Sequence, residues 1–111
     1  MIEDLKIHVS SEETQTKIEL SGELDDFSAA QFHGFFDAYQ FSDAMRTLCV
    51  DLSGLSFLDS VGLGVLITFV REKKDVEVLL HAPQSQVHRL LAQSGLIGRG
   101  YFELTGLTEP V

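Results

Sequence analysis

The residue types best suited to chemistry are a serine beside an aspartate, Asp59-Ser60, and four carboxylates, Glu23, Asp25, Asp26 and Asp59. To these are added the histidines His33, His81 and His88. A serine with a histidine as base would be an acyl-transfer nucleophile. No spacing brings a histidine to Ser60, and the Gly-x-Ser-x-Gly elbow is absent because Leu58 stands at its first glycine. Gly62-Leu63-Gly64 lacks the lysine and the third glycine of a phosphate-binding loop. The carboxylates could gather at one helix start and hold a divalent ion. Three of them, however, adjoin expected helix starts, where capping and the helix dipole already favour acids. No catalytic residue, cofactor or metal site is expected.

The elements around Ser60 suggest a different use for it. Leu48-Cys49-Val50 is a short apolar run with the character of a buried strand, and Thr47–Leu52 is read as that strand. From Val61 to Val70 the apolar run is too long for a strand and suits a mostly buried helix, ending in Arg71-Glu72-Lys73-Lys74. Ser60 falls at its start, where a serine oxygen is a favoured N-cap. Gly62 and Gly64 would each weaken an isolated helix by about 1 kcal/mol relative to Ala. They point to close backbone packing or to open access at the helix start. The result is a hydroxyl presented at the positive end of a helix.

Elsewhere, Leu5–Val9 and Thr16–Leu20 alternate apolar and polar residues across a polar turn, the pattern of a hairpin. His8 falls on the polar side. Ser28-Ala29-Ala30-Gln31 fits a capping box, followed by Ala29, Phe32, Phe35, Phe36 and Tyr39 at helical spacing as a core-facing stripe. Val76–Leu80 reads as a fourth strand, Ala82-Pro83 as a turn, and Gln84–Gln93 as a third helix with Val87, Leu90 and Leu91 on one face. Gly95 is placed as its C′ residue, and Tyr101–Leu104 as a last short strand. The order β-β-α-β-α-β-α-β describes an α/β domain with parallel crossovers and a mixed sheet.

The run Asp51-Leu52-Ser53-Gly54-Leu55-Ser56-Phe57-Leu58-Asp59-Ser60, continued by Gly62-Leu63-Gly64, resembles the signature of STAS domains, specifically of bacterial anti-sigma factor antagonists. Leu20-Ser21-Gly22-Glu23-Leu24-Asp25 is similar to that family's first motif. The resemblance extends from about Ile7 to Leu104 and is strongest over 18–67. It implies that Ser60 is the serine phosphorylated by a partner kinase, with Asp25 near it. It also implies a single STAS-like domain over 1–111 with a short tail, 105–111. The unphosphorylated form would bind an anti-sigma factor with serine kinase activity and so release a sigma factor, and a serine phosphatase would reset it. Asp25, Asp59, Ser60, Val61, Gly62, Leu63 and Gly64 would form the partner-binding surface. Two departures stand out. Thr105–Val111, with Pro110, is too short for the further helix that relatives carry, and Val61 is bulkier than the small or hydroxylated residue common there. An alternative is therefore a STAS subunit of another complex, stressosome-like, transporter-associated or lipid-trafficking.

The composition agrees with a cytosolic binding module. With 111 residues there is room for one modest core. The net charge of −9, from 17 acidic and 8 basic residues, repels phosphate backbones and argues against direct nucleic-acid binding. It favours a partner with a basic face, while most of these charges are read as serving solubility. The apolar run Val61–Val70 is far short of the roughly 20 residues a membrane span needs, and Met1-Ile2-Glu3-Asp4 lacks a signal peptide's basic start. Cys49, the one cysteine, is read as core. A homodimer is left open.

Overall fold

A computed structural model describes residues 4–73, 75–82, 85–93 and 103–105. The elements are β1 (Lys6–Ser11), β2 (Gln15–Leu24), α1 (Ala29–Ala38), β3 (Thr47–Leu58), α2 (Ser60–Arg71), β4 (Glu77–His81), α3 (Ser85–Ala92) and β5 (Glu103–Thr105). This is the order expected from the sequence. The turn at Pro83, the C′ position of Gly95 and the tail 106–111 lie outside the described residues.

The five strands lie side by side in chain order. β1 and β2 form the antiparallel hairpin, and each later strand runs parallel to its predecessor. Each parallel step needs a crossover, supplied in turn by α1, α2 and α3. Because all steps go in one direction, right-handed crossovers put the three helices on one face of the sheet. Strand burial follows: in β2, Thr16, Ile18, Leu20 and Leu24 are buried, whereas Gln15, Lys17 and Glu19 are exposed. Across the open face, Lys17, Cys49 and Leu79 share one row, and Glu19, Asp51 and His81 the next. Cys49 is therefore half-buried on the open face rather than in the core. Burial, with Asp51 nearby, pushes its thiol above the ordinary range despite Lys17.

β3 runs to Leu58, well past the expected end at Leu52. Two register shifts against β2 cause the extension, between Glu19 and Ser21 and between Gly22 and Glu23. At each shift β3 carries one residue more than its partner, the hallmark of a β-bulge. Leu52, Leu55 and Leu58 are consequently three apart yet all fully buried. Gly22, at φ 90°, supplies the left-handed backbone beside the second shift. β4 starts one residue later than expected, because Asp75 turns the chain at φ 61° and Glu77 N–H first bonds Arg46 O.

The helices bury their apolar stripes on this sheet. Phe32 and Phe36 of α1 meet Phe69 of α2 at ring-centroid distances of 5.5 and 4.7 Å. Such tilted and edge-on pairs stabilise beyond their area alone. Phe35, read as part of the stripe, is instead 39% exposed. Leu66, Ile67, Phe69 and Val70 anchor α2, and Val87 and Leu91 anchor α3. No helix among the described residues is long and apolar enough to cross a membrane.

Candidate functional site

The site lies where β2 and β3 end together and α2 begins. Leu24 pairs with Leu58, and Asp59 N–H continues the contact to Leu24 O at 3.3 Å. The N-cap of α2 is Asp59, not Ser60. Its Oδ1 accepts from Gly62 N–H at 2.7 Å, so the carboxylate takes the capping role expected of the serine. Ser60 is the first helical residue, exposed, and its hydroxyl forms no hydrogen bond to another described residue.

The second oxygen of Asp59 reaches across the chain. Oδ2 accepts from Asp26 N–H at 3.1 Å, tying the start of α2 to the loop before α1. That loop is folded by Asp25, 8% exposed, whose Oδ1 accepts from Phe27 N–H, Ser28 N–H and Ser28 Oγ at 3.0, 3.0 and 3.1 Å. The expected capping box does not form. Ser28 Oγ shares its one proton between Glu23 O, at 2.8 Å, and Asp25 Oδ1, and accepts from Asp25 N–H, while Gln31 donates to Leu5 O. Asp25 shapes the loop, and Asp26, through its backbone, makes the link to Asp59.

A third support comes from α3. Gln86 Nε2 donates to Leu58 O at 2.8 Å, and Leu58 N–H donates to Gln86 Oε1 at 3.1 Å. One side-chain amide thus satisfies both backbone groups of the last residue of β3, just before Asp59-Ser60. Sequence reading missed Gln86, because a glutamine on a helix reads as a solvated residue. Only the fold brings it to the strand end, 28 positions away in the chain.

The two glycines of α2 have opposite roles. A Cβ on Gly62 would stand 2.2 Å from Leu24 O and 2.7 Å from its carbonyl carbon, so only glycine lets the helix meet the strand end. A Cβ on Gly64 would meet nothing within 4 Å. Of the remaining residues read as partner-facing, Val61 is 48% exposed and Leu63 half-buried. Phe27, not singled out from sequence, is 79% exposed on the loop that Asp26 ties to Asp59. Its signal was an aromatic between a helix-start acid and an N-cap serine, outside the helical stripe. At this strand end Asp25 and Asp59 are each bonded to backbone N–H groups.

Chemically, the arrangement offers a solvent-facing hydroxyl at a helix N-terminus, with acids at its rim and apolar side chains on two flanks. Helix N-termini favour anions, so this position can carry a phosphate.

A family model described as "Mlab, STAS domain" matches residues 7–106. Over 81 residues the chain is 33% identical to the anti-sigma F factor antagonist of Lysinibacillus sphaericus, covering 71% of this chain and 69% of that protein. Its fold matches the crystal structure of an anti-sigma factor antagonist from Mycobacterium paratuberculosis (TM-score 0.76, 24% identity, 90% of this chain and 86% of that one). It also matches the Bacillus anti-sigma factor antagonist SpoIIAA in its unphosphorylated form (TM-score 0.68, 25% identity, 90% and 88%). The phosphorylated form of SpoIIAA gives a TM-score of 0.64 at 23% identity, covering 90% and 91%.

Proposed function

Because the chain belongs to the STAS domain family, we propose that it is an anti-sigma factor antagonist controlled by phosphorylation of Ser60. The unphosphorylated form binds an anti-sigma factor with serine kinase activity and so frees a sigma factor. A serine phosphatase returns the modified form to the binding state. The chain itself acts by binding, and the ATP chemistry belongs to the kinase.

The observation that carries this reading is the position of Ser60. Its hydroxyl is exposed at the first residue of α2, on a strand end held by Asp59 to Asp26 and by Gln86 to Leu58. A kinase needs an accessible hydroxyl, and a phosphate on a strand end held in this way can alter an interface without altering the fold. Exposed Val61 and Phe27 give a partner apolar surface on either flank. Phosphate adds a charge of about −1.5 to −2. The helix N-terminus tolerates it within the domain, but Asp26 and Asp59 at the rim already make the surface negative. A like-charge clash across an interface can cost several kcal/mol, enough to abolish binding without a change of fold.

The test is affinity capture from native lysate with the wild-type chain as bait, with mass spectrometry of partners and phosphosites. Recovery of a kinase-like ATPase and phosphate on Ser60 is expected. Recovery of a transporter or scaffold assembly in its place, with Ser60 unmodified, would assign the chain to another STAS complex.

A further inference from the structure

The peptide plane that joins Leu58 to Asp59 is the last one before the Asp59-Ser60 step, and it is held at both ends. Its carbonyl, Leu58 O, accepts from Gln86 Nε2 at 2.8 Å, and its N–H, that of Asp59, donates to Leu24 O at 3.3 Å. The preceding plane is fixed as well, since Leu58 N–H donates to Gln86 Oε1 at 3.1 Å. β4 pairs with β3 only as far as Asp51, opposite His81. At Leu58, beyond the reach of β4, the amide of Gln86 takes the place of a strand neighbour.

Gln86 lies in the first turn of α3 beside Val87, which is fully buried. Gln86 is itself exposed, where water could satisfy its amide. Holding both bonds at once costs the side chain rotamer freedom, and neither bond belongs to the backbone ladder of α3. Their effect falls on Leu58.

We infer that Gln86 is a positioning residue for phosphoryl transfer to Ser60, an inference that rests on the phosphorylation reading above. In the transfer, Ser60 Oγ bonds to the γ-phosphorus of ATP as the bond from that phosphorus to ADP breaks. The hydroxyl proton leaves to a base on the kinase or to water. Oγ must stand in line with the breaking bond, and a displacement of about 1 Å can cost roughly 10²-fold in rate. Ser60 makes no side-chain hydrogen bond to another described residue, so its direction is inherited from the backbone. Rotation of the Leu58–Asp59 plane is the freedom that would swing it, and Gln86 blocks that rotation from the carbonyl side. The apolar flanks of the site are held separately. Phe27 stands on the loop before α1, and Val61 stands on α2, which buried Leu66, Ile67, Phe69 and Val70 fasten to the sheet. Loss of Gln86 therefore slows transfer and leaves affinity in place.

The experiment measures steady-state phosphorylation of the full chain by the purified anti-sigma factor kinase recovered with it, together with amide hydrogen exchange of the unmodified proteins. Gln86→Leu keeps the size of the side chain and loses both bonds. Its kcat should fall at least tenfold, with KM within twofold of wild type. The amides of Leu58 and Asp59 should exchange at least tenfold faster, while those of Leu66 and Val70 keep their protection. Gln86→Glu retains an acceptor for Leu58 N–H but, ionised, cannot donate to Leu58 O, and should match Gln86→Leu in kcat. Gln31→Leu removes the same kind of bond, a glutamine amide donating to Leu5 O at 3.0 Å, and should be phosphorylated as wild type. A wild-type kcat in Gln86→Leu would overturn the positioning role and leave phosphorylation of Ser60 standing. So would equal losses in Gln86→Leu and Gln31→Leu, or a lower kcat accompanied by faster exchange throughout α2, either of which marks general destabilisation. Absence of phosphate on Ser60 of the wild-type chain overturns both the reading and the inference.

Discussion

Asp59 accepts the backbone N–H of Asp26 at 3.1 Å with one carboxylate oxygen while capping α2 through Gly62 N–H at 2.7 Å with the other. A single side chain thereby fixes the first turn of α2 to the loop that leads into α1. Ser60 rides on that joint without taking part in it.

Capping should therefore depend on residue 59 rather than 60. Asp59→Ala should destabilise the fold by about 1–2 kcal/mol, because it removes an N-cap and leaves Asp26 N–H without its acceptor. Ser60→Ala should change stability by less than about 0.5 kcal/mol, as exposed substitutions generally do. Denaturant midpoints compare the two, and equal losses would return the capping role to the serine.

The glycines should separate in the same way. Gly62→Ala forces a methyl into the carbonyl of Leu24 and should cost more than about 2 kcal/mol, as overpacking against backbone does. Gly64→Ala should stabilise by about 1 kcal/mol, the helix-propensity difference. Thermal melts of opposite sign are the expected outcome.

Acid stability should involve Asp51. Burial pushes its carboxyl upward, but hydrogen bonds from Ser53 Oγ and N–H at 2.6 and 2.9 Å, aided by His81 and Lys17, bring it below the ordinary carboxylate value. A carboxyl lowered in the folded state stabilises above its unfolded pKa, about 3.9 for Asp. That contribution is lost as pH falls through the lower folded value. Asp51→Asn should thus lose less stability than wild type between about pH 5 and pH 2. Parallel pH profiles for the two proteins would contradict the assignment.

Phe27 should matter to binding and not to folding. At 79% exposure it contributes little to the core. As an aromatic beside the serine face it should act as an anchor, with Phe27→Ala weakening the anti-sigma factor complex by about 2 kcal/mol, roughly thirtyfold. The melting temperature should not move.

Much of this was legible in the chain. Period-two alternation announced β1 and β2, and the apolar run from Val61 announced α2, because those patterns follow directly from strand and helix geometry. The Asp59-Ser60 motif marked the start of α2. What could not be read depended on partners distant in sequence. The bulges hid the second half of β3, since Leu52, Leu55 and Leu58 obey no single period. Gln31 looked like half of a capping box, but the carbonyl of Leu5 claims it. Gly62 and Gly64 are chemically identical, and only the path of Leu24 distinguishes them. Cys49 sits among apolar neighbours in sequence yet faces the open side of the sheet, because strand neighbours alternate faces.

The central claim is that phosphate on Ser60 turns off a binding surface while leaving the fold in place. The most direct measurement is calorimetry of the purified anti-sigma factor kinase with unmodified and stoichiometrically Ser60-phosphorylated protein, alongside melts of both. The account predicts at least a hundredfold weaker binding by the phosphorylated form, about 2.7 kcal/mol, with Ser60→Ala binding like the unmodified protein and similar melting temperatures throughout. Equal affinities for the two forms would contradict it.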